Sequence, residues 1–157
     1  QPHVRCGLGS AAFDNDGVAT RTRDVVKDGV LAGYFLSVYT ARKLGMQTTA
    51  NAGGSHNLIL EPGELDLAGL MQRMGRGLLV TELLGHGINY VTGDYSRGAA
   101  GYWIENGQIA YPVEEITIAG NLRTMFAGVQ AVGRDVLIRG SKQTGSILLD
   151  KMTVAGE

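Results

Sequence analysis

The sequence predicts an α+β fold: a mostly antiparallel sheet with hairpins and about three short helices. Two observations predict it. Short β-prone runs outnumber helical ones and are joined by hairpin signals, with no regular strand–helix alternation. The 24 glycines among 157 residues are roughly twice the ~7% norm. They follow no collagen-like period, and so suit tight turns, bulges and close backbone approaches.

Taken in order, Gln1–Asn15 is weakly patterned and is expected to complete a domain begun upstream. Val18–Val26 is rich in Val and Thr and reads as a strand. Lys27-Asp28-Gly29 is a hairpin turn, and Val30–Leu36 is the returning strand. Ser37 is placed to cap a short helix through Lys43 and Leu44, with Arg42-Lys43 in its last turn and Gly45 closing it. Asn51–Asn57 is a polar loop and Leu58–Leu60 a short strand. Asp66 caps a second helix from Leu67 to Met74, whose Leu67, Leu70, Met71 and Met74 share one face; Gly75 and Gly77 end it. Leu78–Leu84 is an apolar run of strand length. The glycine-rich stretch Gly85–Gly107 follows, read as two strands, Ile88–Thr92 and Tyr102–Glu105, around a loop from Gly93 to Gly101. Asn106-Gly107 is the strongest hairpin signal, with Gln108–Tyr111 returning. Ile116–Ala119 is a strand, Asn121 caps a third helix from Leu122 to about Val129, and Val136–Arg139, Gly145–Leu149 and Met152–Ala155 are short strands.

The chain has the size of one ordinary domain, and 44% hydrophobic with 18% charged residues makes it globular. A net charge of −1 supplies no field for nucleic acid or an anionic membrane, and neither is expected as a partner. No run approaches the ~18 apolar residues of a membrane span. The lone Cys6 excludes an intrachain disulfide, which points to a cytoplasmic setting. The start at Gln1, without initiator Met or signal peptide, reads as the interior of a longer chain.

No self-sufficient catalytic motif emerges. His3 and Cys6, with the loop histidines His56 and His86, are suitable zinc ligands by type, but they are dispersed and form no CxxC or HExxH. Ser96 lacks the Gly-x-Ser-x-Gly frame of a nucleophile elbow, since Asp94 stands two residues before it. The glycines match neither GxGxxG nor GxxxxGK[ST], which argues against a phosphate cradle. Glu82, Glu105, Glu114 and Glu115 read as solvated carboxylates rather than an acid–base pair. Glycines among Tyr90, Tyr95, Tyr102 and Trp103 fit a β-ribbon that packs aromatics and admits another backbone.

Longer strings carry more. Val80–Asn89 (VTELLGHGIN), Thr92–Gly107 (TGDYSRGAAGYWIENG), Tyr111-Pro112-Val113 and Glu115–Leu122 (EITIAGNL) closely resemble the C-terminal part of the TldD/PmbA peptidase family. The resemblance extends to Lys27-Asp28-Gly29, Ala41–Gly45 and Ala52–Asn57, so it covers essentially the whole chain. Thr92–Gly101 is similar to the PmbA (TldE) branch in particular.

The resemblance implies one C-terminal domain over 1–157 and a cytosolic two-subunit peptidase that cleaves extended or unfolded peptides. In that family the TldD-type subunit carries zinc in an HExxxH motif, with a cysteine ligand near its C-terminus. The PmbA-type subunit lacks the metal motif and pairs with it; a homodimer is the expectation in isolation. Here no HExxxH occurs, and Gly140–Ser146 holds no cysteine. No catalytic or metal residue is therefore carried over, and zinc is expected in the partner subunit. The residues expected to face partner or peptide are His56, Glu82, Asp94, Tyr95, Ser96, Arg97, Tyr102 and Trp103. Asp94 and Arg97 are expected to form an ion pair or capping network, and the three aromatics a packed surface. Older descriptions of the family as a modulator of DNA gyrase supply the alternative, an interaction module without proteolysis.

Overall fold

Residues 1–156 are described by a computed structural model. Its elements are β1 (Val26–Lys27), β2 (Val30–Leu31), α1 (Val38–Lys43), β3 (Leu58–Ile59), α2 (Leu67–Met74), β4 (Gly77–Leu84), β5 (Asp94–Glu105), β6 (Gln108–Asn121), α3 (Leu122–Ala127), β7 (Val129–Val132), β8 (Leu137–Arg139), β9 (Lys142–Thr144), β10 (Ile147–Leu149) and β11 (Thr153–Ala155). The fold is α+β with mostly antiparallel pairing. The chain divides into two compact units. One comprises Gln1–Leu60 with Leu137–Thr144; the other comprises Glu61–Val136 with the chain from Gly145 onward.

In the first unit, Asp28 (φ 51°) and Gly29 (φ 76°) form the two-residue turn that pairs β1 with β2. The expected strands Val18–Val26 and Val30–Leu36 contract to two residues each. Beyond them, Val25 O accepts from Ala32 and Gly33 N–H, after which side-chain and loop contacts replace the ladder. Thr20 N–H donates to Ala12 O, and the Arg23 guanidinium donates to Tyr34 O and Asn51 Oδ1. Helix α1 begins where Ser37 Oγ accepts from Thr40 N–H and Thr40 Oγ1 accepts from Ser37 N–H, a reciprocal capping box. A second sheet has the order β3-β9-β8, with β3 parallel to β9. Strand β9 is not anticipated by composition: its Lys-Gln-Thr sequence is polar and its partner β3 lies over eighty residues earlier.

In the second unit, Asp66 caps α2 by accepting from Gly69 N–H at 2.9 Å, and Arg134 donates to the same carboxylate at 2.7 Å. The main sheet is β11-β6-β5-β4, antiparallel throughout, and β7 pairs with β10. Three expectations are corrected here. Ile88–Thr92 is a turn, apart from one bridge between Ile88 and Tyr95, because Asn89 Oδ1 takes the N–H groups of Val91 and Thr92. The supposed loop from Gly93 to Gly101 is the first part of β5, one strand of twelve residues. Helix α3 ends at Ala127, since Gly128 caps it and Val129 opens β7.

The core of the sheet is Ala99, Ile116 and Ile118, packed by Leu78, Val80, Tyr95, Val113 and Met152. Two bulges make this packing possible. On β4, Val80 pairs with Gly101 but Glu82 pairs with Ala100, so Thr81 is an extra residue. Strict alternation would turn Glu82 toward the core beside Leu78 and Val80; the bulge turns it out. On β6, Val113 pairs with Gly101 and Ile116 with Ala99, and Glu115 takes φ 56°. The apolar set therefore shifts from odd to even positions. Both neighbours of β5 bulge opposite Ala100, halfway along the strand.

Candidate functional site

Strand β5 lies between β4 and β6, held close by glycine. A Cβ on Gly101 would overlap the carbonyl oxygen of Leu79, and one on Gly87 would overlap that of Ser96. Its β4 neighbour is the edge of the sheet, so the outer backbone groups of Gly77–Leu84 face no strand among the described residues. From Ser96 to Tyr102 the strand runs about 20 Å. The expected residues on it thus form a ribbon, not one pocket.

Alternation divides them by face. Tyr95, Arg97 and Trp103 share the face of Ala99, whereas Asp94, Ser96 and Tyr102 occupy the other, joined by Glu82 opposite Ala100. The three aromatics therefore do not make one surface: Tyr95 packs against the core and Tyr102 is exposed on the opposite face. Trp103 Nε1 donates to Glu105 at 3.3 Å, and the Arg76 guanidinium lies 5.6 Å from the Trp103 ring centroid. Gly75, Arg76, Glu105 and Asn106 line a shallow, open depression there. Ile104, fully buried, anchors this end of β5, and Gly107 N–H donates to Gly75 O at 2.8 Å.

Asp94 and Arg97 do not pair with each other. Arg97 donates to the carbonyls of Leu83 and Leu84 at 3.3 and 3.4 Å, closing the end of β4. The ion pair among the described residues is Arg134–Asp66. Asp94 instead belongs to a capping network. Thr92 Oγ1 donates to Asp94 Oδ2 at 2.7 Å, and Asn121 Nδ2 donates to Thr92 O and Asp94 Oδ1. These two side chains, Thr92 first, hold the Asp94 carboxyl below its ordinary range. Asn121 Oδ1 also accepts from Arg123 N–H and caps α3. This network fixes a turn whose tip, Tyr90 at 86% and Val91 at 95% exposure, projects into solvent. Composition flags Tyr90 only as one of four aromatics; the Asn89–Asp94 spacing is the signal that places it on a tip.

His56 belongs to the first unit, and the other seven candidates to the second. His56 takes φ 56° and its Nε2 lies 2.9 Å from Ala50 O. Nearby, the buried Asp14 accepts from Asp16, Val18 and Ala52 N–H. Burial raises its carboxyl, but those three bonds and the neighbouring His56 outweigh it and leave it lowered.

The described residues bring no zinc ligand set together. His3 Nε2 is engaged by Thr20 Oγ1 at 3.1 Å, His56 Nε2 by Ala50 O, and no three of His, Cys, Asp or Glu converge among the described residues. Nor is any helix among them long and apolar enough to cross a membrane.

Residues 1–156 match the family model of the PmbA/TldA metallopeptidase C-terminal domain. Over 156 residues the chain is 51% identical to Metalloprotease PmbA of Escherichia coli O157:H7, covering 99% of this chain and 35% of that protein. A Haemophilus influenzae homolog of Metalloprotease PmbA is 50% identical, with the same coverage of each. The chain thus spans about a third of the length of these curated relatives. Among solved structures, a candidate modulator of DNA gyrase from Thermotoga maritima MSB8 superposes with TM-score 0.90 at 39% identity, over 99% of this chain and 38% of that one. TldE from Thermococcus kodakarensis shares the fold, with TM-score 0.78 at 24% identity over 93% and 36%. On matches that run from end to end, the chain belongs to the PmbA/TldD metallopeptidase family, over that family's C-terminal domain.

Proposed function

We propose that this chain is the C-terminal domain of a PmbA/TldE-type, non-catalytic subunit of a zinc-dependent cytosolic peptidase acting on extended peptides. The observation that carries this reading is the open edge of β4, set on a sheet where Asp94, Tyr95 and Arg97 are committed to structure. Arg97 closes the end of β4, Asp94 fixes a turn and Tyr95 fills the core. What remains available is backbone along Gly77–Glu82, the face bearing Glu82, Ser96 and Tyr102, and the Tyr90–Val91 tip. Extended backbone and an apolar tip suit association and strand addition rather than bond cleavage. The outward turn of Glu82 at the bulge guards the same edge against indiscriminate pairing.

Zinc and the hydrolytic chemistry come from a TldD-type partner, and this subunit walls the chamber in which that chemistry takes place. The test is reconstitution. Co-purification with a TldD-type subunit, and peptidase activity that needs both, supports the reading; activity of the full-length PmbA-type subunit alone with zinc sinks it. The second reading, an interaction module without proteolysis, rests on the resemblance to the Thermotoga structure and on the exposed Tyr90–Val91 tip. Capture of a folded partner by this domain, independent of any metal-bearing subunit, favours it.

A further inference from the structure

We propose that Ser55, Ser141, Lys142 and Arg139 form a binding site for an oxyanion, a carboxylate or phosphate group. All four belong to the first unit. Leu137–Arg139 and Lys142–Thr144 form a hairpin whose two-residue turn, Gly140-Ser141, is opened by Gly140 at φ 60°. The register places Arg139 directly opposite Lys142, so both side chains leave the same face of the hairpin. Like charges so placed repel, and neither takes part in the Arg134–Asp66 ion pair.

Lys142 turns instead to two hydroxyls. Its Nζ donates to Ser55 Oγ at 2.8 Å and to Ser141 Oγ at 3.1 Å. Because both oxygens accept from the ammonium, both hydroxyl protons are directed away from it and remain available to donate. The third ammonium proton and the Arg139 guanidinium add further donors. The cluster therefore offers donors and positive charge, the complement of an oxyanion, and repels metal cations. It is also held in place. Leu58 N–H donates to Ser141 O at 2.9 Å, which ties the strand after Ser55 to the hairpin turn. Asn51 Nδ2 donates to Gly54 O at 2.9 Å, which fixes the loop before it. A bound oxyanion bridges the two cations and relieves the cross-strand repulsion.

This inference stands independently of the peptidase reading. It is tested by NMR titration of the protein with sodium acetate, inorganic phosphate and, as a neutral control, acetamide, at low and constant ionic strength to limit screening. Saturable shifts at Ser55, Ser141 and Lys142 are expected with acetate or phosphate and not with acetamide; the tighter of the two names the source of the group. Lys142→Gln and, separately, Arg139→Gln are expected to weaken binding about tenfold each, the loss of one charge-assisted bond. Both positions are exposed, so the folded spectrum is retained. Shifts no larger than those with acetamide, or binding unchanged in both variants, overturn the proposal.

Discussion

Replacing Gly101 with alanine is the sharpest perturbation of the sheet. Gly101 pairs with Val80 on one side and Val113 on the other, beside both bulges. The new methyl would overlap Leu79 O and come within 2.9 Å of Leu79 C and 3.1 Å of Val80 Cα. All three are backbone atoms, so no rotamer change relieves the overlap; β4 itself must move. Overpacking of this kind costs about 1–3 kcal/mol. Disrupting the adjacent ladder bonds adds about 1 kcal/mol each. A loss of about 3 kcal/mol follows, or roughly 10 °C in Tm for a chain of this length. Gly98→Ala is the internal control. Its methyl would sit 3.2 Å from Leu84 Cβ, a contact relieved by a shift of a few tenths of an ångström at Leu84, the exposed last residue of edge strand β4, and alanine is the better strand residue. That variant is expected to lie within about 1 kcal/mol of the parent. Urea unfolding followed by far-UV circular dichroism, with hydrogen exchange at the Gly77–Leu84 amides, reads both. Equal stabilities for the two variants would refute the close-approach argument.

Three further outcomes follow from named contacts. Asp14 has a lowered carboxyl, so its contribution is present above the unfolded value of about 3.9 and is lost as pH falls through the folded value; Asp14→Asn should be less stable at neutral pH and show a shallower acid limb in denaturation curves measured across that range. Asn121→Ala removes the cap of α3 and the bonds to Thr92 and Asp94. It should cost about 1–2 kcal/mol and raise exchange at Tyr90 and Val91; unchanged exchange there would show that Asn121 does not hold the turn. Arg97→Gln loses two long bonds to carbonyls, worth under about 1 kcal/mol in thermal melts; a larger loss would mean the guanidinium is structural beyond those bonds.

Much of the fold was legible because local chemistry decided it. Ser37, Asp66 and Asn121 each cap the helix expected of them, and Asn106-Gly107 makes the expected hairpin at φ 50° and 74°. What escaped was decided by neighbours. Glycine's poor strand propensity hid the start of β5, where close approach by adjacent backbone makes glycine the residue that fits. Strand β6 runs on through Pro112 because β11 covers only Thr117–Ala119 and leaves that part of its edge open. The bulges were visible in principle, as a slip in alternation at Thr81-Glu82 and at Glu114-Glu115. For the site, the residue types were legible but their commitments were not. Asp94 and Arg97, three residues apart and opposite in charge, bond to different segments, Asp94 to the turn before β5 and Arg97 to the end of β4. The Ser55–Lys142 contact joins segments 87 residues apart, a separation that local pattern does not bridge.

On the proposed function, this chain assists a metal-bearing partner and does not itself cut peptides. Zinc content and hydrolysis of an extended peptide, measured side by side on the full-length subunit alone, on a TldD-type subunit alone and on their mixture, test it most directly. The expected result is no bound zinc and no cleavage for this subunit, with cleavage appearing in the mixture. One zinc bound per chain together with cleavage by this subunit alone would contradict the claim.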